Sequence, residues 1–198
     1  MEVLTRRLRT LIAALAGVLV TGMALAGGLW SQAGLPTRSS DESLEYRVKA
    51  AYLLNFTRYV EWPPETVTGD STLNICVVGA DPFGRVLDAT VAGRTAHGLP
   101  LRVLRIRSAA ESEECQLVFL SRETWRRSPE ILRAFSQVGS LTVGESEQFA
   151  QVGGVIGFVI VDETVRFVVN DEARDRAGLR ISSRMLSLAA AIYRRDGS

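Results

Sequence analysis

The sequence contains few of the residues on which most enzyme sites depend. It has one histidine, His97, one lysine, Lys49, and two cysteines. Because metal sites of the zinc type need several Cys and His ligands at short spacing, no metal site is expected. A nucleophile–base–acid set would have to use His97, and the chain has no G-x-S-x-G motif. We therefore expect no catalytic residues, no cofactor and no enzyme activity.

A surplus of positive charge is also absent. The chain has 23 basic and 22 acidic residues, and its basic residues are scattered rather than clustered. Nucleic-acid binding leaves a basic patch or stripe, so a nucleic-acid partner is excluded on this pattern.

No charged residue occurs between Arg9 and Arg38. Basic residues at 6, 7 and 9, an apolar run over 11–25 and the small-x-small triplet at 24–26 are typical of a secretory signal peptide, which we assign to residues 1–26. The uncharged run is also long enough to cross a bilayer, so an uncleaved membrane anchor is the alternative. Either reading exports the domain. After cleavage, no direct membrane binding is expected.

Residues 27–40 are rich in Gly, Ser and Pro and predict a flexible linker, which leaves one domain over 41–194. Strand-length apolar runs alternate with helical patterns in its first half, and a hairpin follows over 155–161 and 165–169. This order predicts an α/β fold: a single-domain sandwich with a mixed, partly parallel central sheet flanked by helices. A last helix is expected to begin at Ser182 or Ser183 and to continue to about Ile192.

The longest helical pattern runs from Leu44 to Trp62 and is apolar over more than half of its circumference. One stripe, including Leu44, Val48 and Tyr59, is expected to pack on the sheet. An adjoining strip carries Leu53, Phe56 and Val60, and these three residues are the predicted protein interface. The alternative is that the whole helix is buried inside a three-layer domain.

Cys76 and Cys115 both lie in apolar, strand-like segments of a chain that is expected to reach an oxidising compartment. A disulfide between them is predicted, since neighbouring strands can satisfy its short Cα separation. Two buried free thiols, which behave as small apolar groups, are the alternative.

Arg180, Ser182 and Ser183 precede the last helix and predict a small anion-binding site. Free N–H groups at a helix start carry partial positive charge, and a guanidinium suits phosphate or carboxylate. The simpler alternative is that a serine caps the helix while Arg180 pairs with an acid such as Asp175.

Six segments in order make the chain resemble the YfiR family of periplasmic signalling regulators, and the resemblance covers nearly all of the exported part. They are VKAAYLLNFTRYVEWP at 48–63, NICVVGADPFG at 74–84, CQLVFLS at 115–121, LTVGES at 141–146, FAQVGGVIGFV at 149–159 and AGLRISSRMLSLA at 177–189.

The resemblance implies a periplasmic α/β domain that forms a homodimer and represses a membrane-bound diguanylate cyclase by contacting its periplasmic sensory part. Release of repression in the family responds to envelope or redox conditions. Cys76 and Cys115 fall within matching segments, so redox control is implied for them. A stand-alone sensor for an anionic metabolite or nucleotide is the competing function.

Overall fold

The structure is a computed structural model that describes residues 38–67, 72–111 and 114–194, with the backbone alone for 38–43. The predicted signal peptide lies outside these residues. The predicted linker does so up to residue 37, and the first helix begins at Arg38, three residues before the expected domain boundary.

Seven α-helices and ten strands are present in the described residues. The helices are α1 (Arg38–Tyr59), α2 (Arg85–Val91), α3 (Arg122–Arg127), α4 (Ile131–Gln137), α5 (Glu147–Gln151), α6 (Asp171–Arg176) and α7 (Ser183–Leu186). The strands are β1 (Val60–Glu61), β2 (Leu73–Val78), β3 (Thr95–Ala96), β4 (Leu99–Ile106), β5 (Cys115–Leu120), β6 (Leu141–Glu145), β7 (Ile156–Val161), β8 (Thr164–Asn170), β9 (Arg180–Ile181) and β10 (Ala191–Tyr193).

Eight strands form one mixed sheet in the order β10-β8-β7-β6-β5-β2-β4-β3. The five neighbouring strands from β4 to β7 are parallel, whereas β8 returns antiparallel to β7 as the predicted hairpin. Strands β2 and β5 are buried along their whole length, as expected for central parallel strands covered on both faces. The predicted α/β fold with a mixed, partly parallel sheet is confirmed.

Helices cover both faces of this sheet, and the sheet separates two core clusters. One cluster joins α1, α2 and α6 to side chains such as Ile75, Phe119 and Phe167. The other lies on the opposite face and packs Trp125, Phe135 and neighbouring residues of α3 to α5 against Val118. The layered arrangement follows because each helix buries an apolar face against the sheet.

The face of α1 that packs on the sheet differs from the predicted one. Leu53, Phe56 and Val60 are at most 1% exposed, and the ring of Phe56 lies 5.2 Å from that of Phe167. The prediction that these three residues form a protein interface is therefore wrong, because the sheet of the same chain covers them. The stripe with Leu44 and Val48, expected to be buried, faces outward.

Lys49 explains this orientation. Its side chain is 4% exposed, and its ammonium lies 2.5 Å from a carboxylate oxygen of Glu45 and 2.6 Å from one of Glu145 at the end of β6. The hydroxyl of Tyr46 donates to the same Glu145 oxygen at 2.9 Å. In the sequence, Lys49 interrupts the apolar strip that carries Leu53, Phe56 and Val60. Paired with two carboxylates, it belongs to the buried face, since a charge can be buried when it is neutralised and hydrogen-bonded.

The two cysteines form a disulfide that joins adjacent central strands. Cys76 of β2 and Cys115 of β5 are bonded with their Cα atoms 5.8 Å apart. Both residues are buried on the sheet face away from α1. The predicted bond is confirmed.

The ring of Phe149 on α5 occupies a slot between two glycines. A Cβ atom added to Gly144 or to Gly154 would collide with this ring. These glycines therefore allow α5 to approach the sheet closely, and any side chain at either position would push Phe149 away.

The C-terminal segment is also different from its prediction. Helix α7 ends at Leu186, and Ala191–Tyr193 forms an edge strand parallel to β8. The amide of Ala190 donates to the Phe167 carbonyl at 2.7 Å, which starts this pairing. Short apolar runs of this kind do not distinguish helix from strand in sequence, so the neighbouring edge of β8 decided the outcome.

Replacing Cys76 and Cys115 together by alanine should lower the free energy of unfolding by as much as about 4 kcal/mol in the chain-entropy estimate, because the bond closes a 39-residue separation. Denaturant unfolding with and without reductant measures this. Wild type should lose stability on reduction, and the double variant should be indifferent to reductant. Reactive thiols in protein taken directly from the cell envelope would contradict the bond.

Replacing Lys49 by alanine should lower the free energy of unfolding by about 3 kcal/mol, because it leaves the partly buried Glu145 carboxylate without its cation. Arg127→Ala, which breaks the exposed pair with Glu123, is the control and should cost less than about 1 kcal/mol. A loss at Lys49 no larger than that of the control would show that the ion pair does not fix α1.

Candidate protein-interaction surface

The outer face of α1 carries an uncharged stripe that is bordered by two exposed arginines, Arg47 and Arg58. The stripe consists of Leu44, Val48, Ala51, Asn55 and Tyr59, which follow one another at helical spacing. Leu44 is 60% exposed, and Val48 and Tyr59 are 37% and 38% exposed. Exposed apolar side chains that line up along a helix and are flanked by charged residues are typical of a contact with another molecule.

A groove continues this stripe where α1 meets the C-terminal part of the chain. Its walls are Tyr52, Asn55, Tyr59, Arg184 and Leu188, and its volume is about 190 Å³. The buried side chains of Phe56, Phe167 and Met185 form its floor. We call this feature the outer groove.

Leu188 is the residue of the outer groove that sequence reasoning placed wrongly. It lies within the predicted last helix, but the observed helix ends before it, and Leu188 is 58% exposed. Its carbonyl accepts a hydrogen bond from Arg166 Nη2 at 3.2 Å. No sequence pattern marked Arg166 or Arg184, because their position beside the groove depends on the early end of α7.

The three residues of the predicted anion site have local partners or lie open to solvent. Ser182 is the N-cap of α7 and accepts from the Met185 amide, and Arg180 lies 3.8 Å from a carboxylate oxygen of Glu61. Ser183 is exposed. The alternative reading of Ser182 as a cap therefore fits, although Arg180 pairs with Glu61 rather than Asp175. The anion site stays a prediction.

His97 has a structural contact. Its Nε2 lies 2.9 Å from the Val60 carbonyl, and its ring meets that of Trp62 edge to face. Within the described residues, no group of three or more His, Cys, Asp or Glu side chains is arranged to hold a metal ion.

A network of ion pairs at the carboxyl end of β4 holds the turn between β2 and α2. Arg105 of β4 binds Asp88 through two nitrogens and Asp81 through a third. The hydrogen bond from Arg105 is the main reason why the pKa of Asp88 lies below its usual range. Asp81 in turn accepts from the amides of Phe83 and Gly84. This network holds the turn between β2 and α2, where the sequence superficially resembles a phosphate-binding loop.

The helices within the described residues include none that is long and apolar enough to cross a membrane.

Two solved structures are similar to parts of this chain. One is a Streptococcus pneumoniae ABC domain in complex with L-Trp, 12% identical, which aligns over 73% of this chain and 60% of its own length with a TM-score of 0.51. The other is a conserved domain protein from Vibrio cholerae O1 biovar El Tor, 14% identical over 61% of this chain and 54% of its own, with a TM-score of 0.48. At this identity, the first likeness shows the fold alone.

The family comparison covers most of the domain. A family model described as YfiR/HmsC-like matches residues 46–190, from the third turn of α1 to the segment before β10. The match includes the outer face from Val48 onward, the disulfide and the outer groove. The chain belongs to the YfiR/HmsC-like family.

Proposed function

We propose that this protein is an exported, non-enzymatic regulator that binds the periplasmic sensory region of a membrane-bound diguanylate cyclase and represses it, so that cyclic di-GMP falls. The observation that carries this proposal is the family match over residues 46–190. The resemblance of six ordered segments to the YfiR regulators supports the same function and the same compartment.

The surface of α1 supports a binding role. Leu44 and Val48 lie open on the outer face with no charge between them on that stripe. Exposed apolar stripes with polar flanks are typical of protein contacts. The N-terminal half of this stripe is the part that we assign to the cyclase.

The disulfide supports an extracytoplasmic location and gives the redox part of the proposal a physical basis. Disulfides persist in oxidising compartments, and this one ties the two central strands β2 and β5. Reduction breaks this bond between β2 and β5, which lies in the core cluster of Trp125 and Phe135. Reduction weakens repression only to the extent that the cyclase binds the oxidised form more tightly than the reduced form. A ligand shifts an equilibrium between two states only by its difference in affinity for them.

A homodimer is the remaining part of the proposal, as the family resemblance implies.

A stand-alone sensor for small anions is the second candidate, and one groove favours it. A cavity of about 700 Å³ is lined by Arg133, Ser136 and Gln137 together with Glu130 and with Arg176, which is paired with Glu172 at 2.8 Å. Arg133 has no ion pair among the described residues. The Arg180, Ser182 and Ser183 site belongs to the same candidate. Calorimetry with phosphate and a nucleotide tests both sites, and loss of binding in Arg133→Ala or in Arg180→Ala assigns one of them.

Replacing Val48 by glutamate should weaken capture of the cyclase by about tenfold or more, because a carboxylate would be buried in an apolar contact. The full-length protein is expressed with an affinity tag, and membranes are solubilised to identify bound cyclase. Cellular cyclic di-GMP is measured in the same strains and should rise with the variant.

Val152→Glu is the matched control, since Val152 is an equally open apolar side chain beyond α5. It should leave capture and cyclic di-GMP unchanged. Absence of a cyclase from the wild-type eluate, together with unchanged cyclic di-GMP when the protein is deleted, would overturn the proposed function.

A further inference from the structure

The turn between β7 and β8 presents apolar and acidic side chains together. Ile160 is 55% exposed at the end of β7, and Asp162 and Glu163 follow in the turn. Both acids have positive φ, at 47° and 59°. Asp is common at the first position of such a two-residue turn, whereas the second position, held here by Glu163, is usually Gly. A non-glycine residue in this conformation costs free energy, so the presence of Glu163 indicates a use for its side chain.

Ile160 lies on the same side of the sheet as α1. Side chains alternate along a strand, and Phe158, two residues earlier, packs against Phe56 of α1. Ile160 is paired with Val165, whose carbonyl accepts the Tyr52 hydroxyl at 3.2 Å. The hairpin turn therefore adjoins the outer groove, of which Tyr52 is a wall. In the described residues, the exposed large apolar side chains other than Val152 lie on α1, on this hairpin or at Leu188.

The charges beside the groove and on the turn are opposite. Arg184 lines the groove and Arg166 bonds to the Leu188 carbonyl, while no carboxylate lies among the groove-lining residues. The turn carries Asp162 and Glu163. The side chains of Arg184 and Glu163 have no ion pair or hydrogen bond among the described residues.

We infer that the occupant of the outer groove is the hairpin turn of a second copy of this chain, with Ile160 seated on the apolar floor and Glu163 paired with Arg184. Because groove and turn adjoin each other on one face, a two-fold axis between two copies lets each turn enter the groove of its partner. Such a contact is isologous: the same two patches meet twice and leave no open end. The inference rests on the homodimer of the proposed function, for which it supplies the contact.

The chemistry of the two patches selects this occupant. The groove offers an apolar floor with cationic edges, and it therefore fits a large aliphatic side chain that is followed by a carboxylate. The segment Ile160-Val161-Asp162-Glu163 has this order and is exposed. Opposite charges across an interface also fix its register, because like charges would repel in other arrangements.

Charge reversal on the full-length exported protein tests the pairing. Analytical ultracentrifugation gives the dimer dissociation constant for wild type, Arg184→Glu, Glu163→Arg and the double variant. Each single variant should weaken the dimer by about tenfold or more, because residues 163 and 184 then carry like charges and face each other at both symmetry-related contacts. The double variant should return to within about threefold of wild type, since it restores opposite charges at both contacts.

Arg122→Glu is the control for charge alone, because Arg122 is an exposed arginine of α3 outside the groove. It should leave the dissociation constant unchanged. Each substituted residue is at the surface, and Glu163→Arg replaces one non-glycine residue by another at the same φ, so the variants are expected to fold. Near-ultraviolet circular dichroism checks this directly.

The contrary outcomes separate this inference from the proposed function. A dimer that is unaffected by both single variants, or one that is lost without rescue in the double variant, overturns the contact and leaves the dimer and cyclase binding in place. A wild-type protein that is monomeric at about 100 μM overturns both the contact and the dimer, while capture of the cyclase is measured separately.

Discussion

The buried charge of Lys49 decides how this protein presents its surface. Its ammonium is held between Glu45 of the same helix and Glu145 at the end of β6, and Tyr46 hydrogen-bonds to that second carboxylate. A buried ion pair of this kind adds little net stability compared with an apolar core, but it penalises any arrangement that separates the charges. With Lys49 fixed inward, the helix has one rotation about its axis, and its other apolar stripe must face outward.

The functional features follow from that rotation. The outer face, the outer groove and the hairpin turn adjoin one another around Tyr52, which contacts β8 through its hydroxyl. The disulfide and the Phe149 slot lie beneath the opposite helices and hold the sheet that supports this face. The proposed binding surface and the disulfide therefore occupy opposite sides of one sheet. Any coupling between them has to pass through the parallel strands β2, β5 and β6.

The sequence was a good guide where one local pattern determines one outcome. The apolar runs at β2 and β5, the β7–β8 hairpin and the placing of both cysteines on neighbouring strands were all predictable. The orientation of α1 was not, because two adjoining apolar stripes compete in the sequence and the deciding partner, Glu145, lies 96 positions away from Lys49. Only the folded sheet brings that carboxylate to the helix. For the same reason Leu53, Phe56 and Val60 were assigned to the wrong side.

The C-terminal segment shows a second limit. Residues 188–192 are small or apolar and suit helix and strand alike, and pairing with the edge of β8 selected the strand. The early end of α7 then exposed Leu188 and brought Arg184 to the groove. The glycines at 144 and 154 were visible within family-like segments, but their role as the walls around Phe149 depends on the approach of α5 to β6.

In the proposed complex, the outer face of α1 meets the cyclase, while the inner face belongs to the core. Photo-crosslinking in living cells tests it most directly, with a photoreactive amino acid at position 48 and, in a separate strain, at position 152. The account predicts a crosslinked product at position 48 that contains the periplasmic region of a diguanylate cyclase, and none at position 152. A cyclase product from position 152, with only unlinked protein from position 48, would contradict the account.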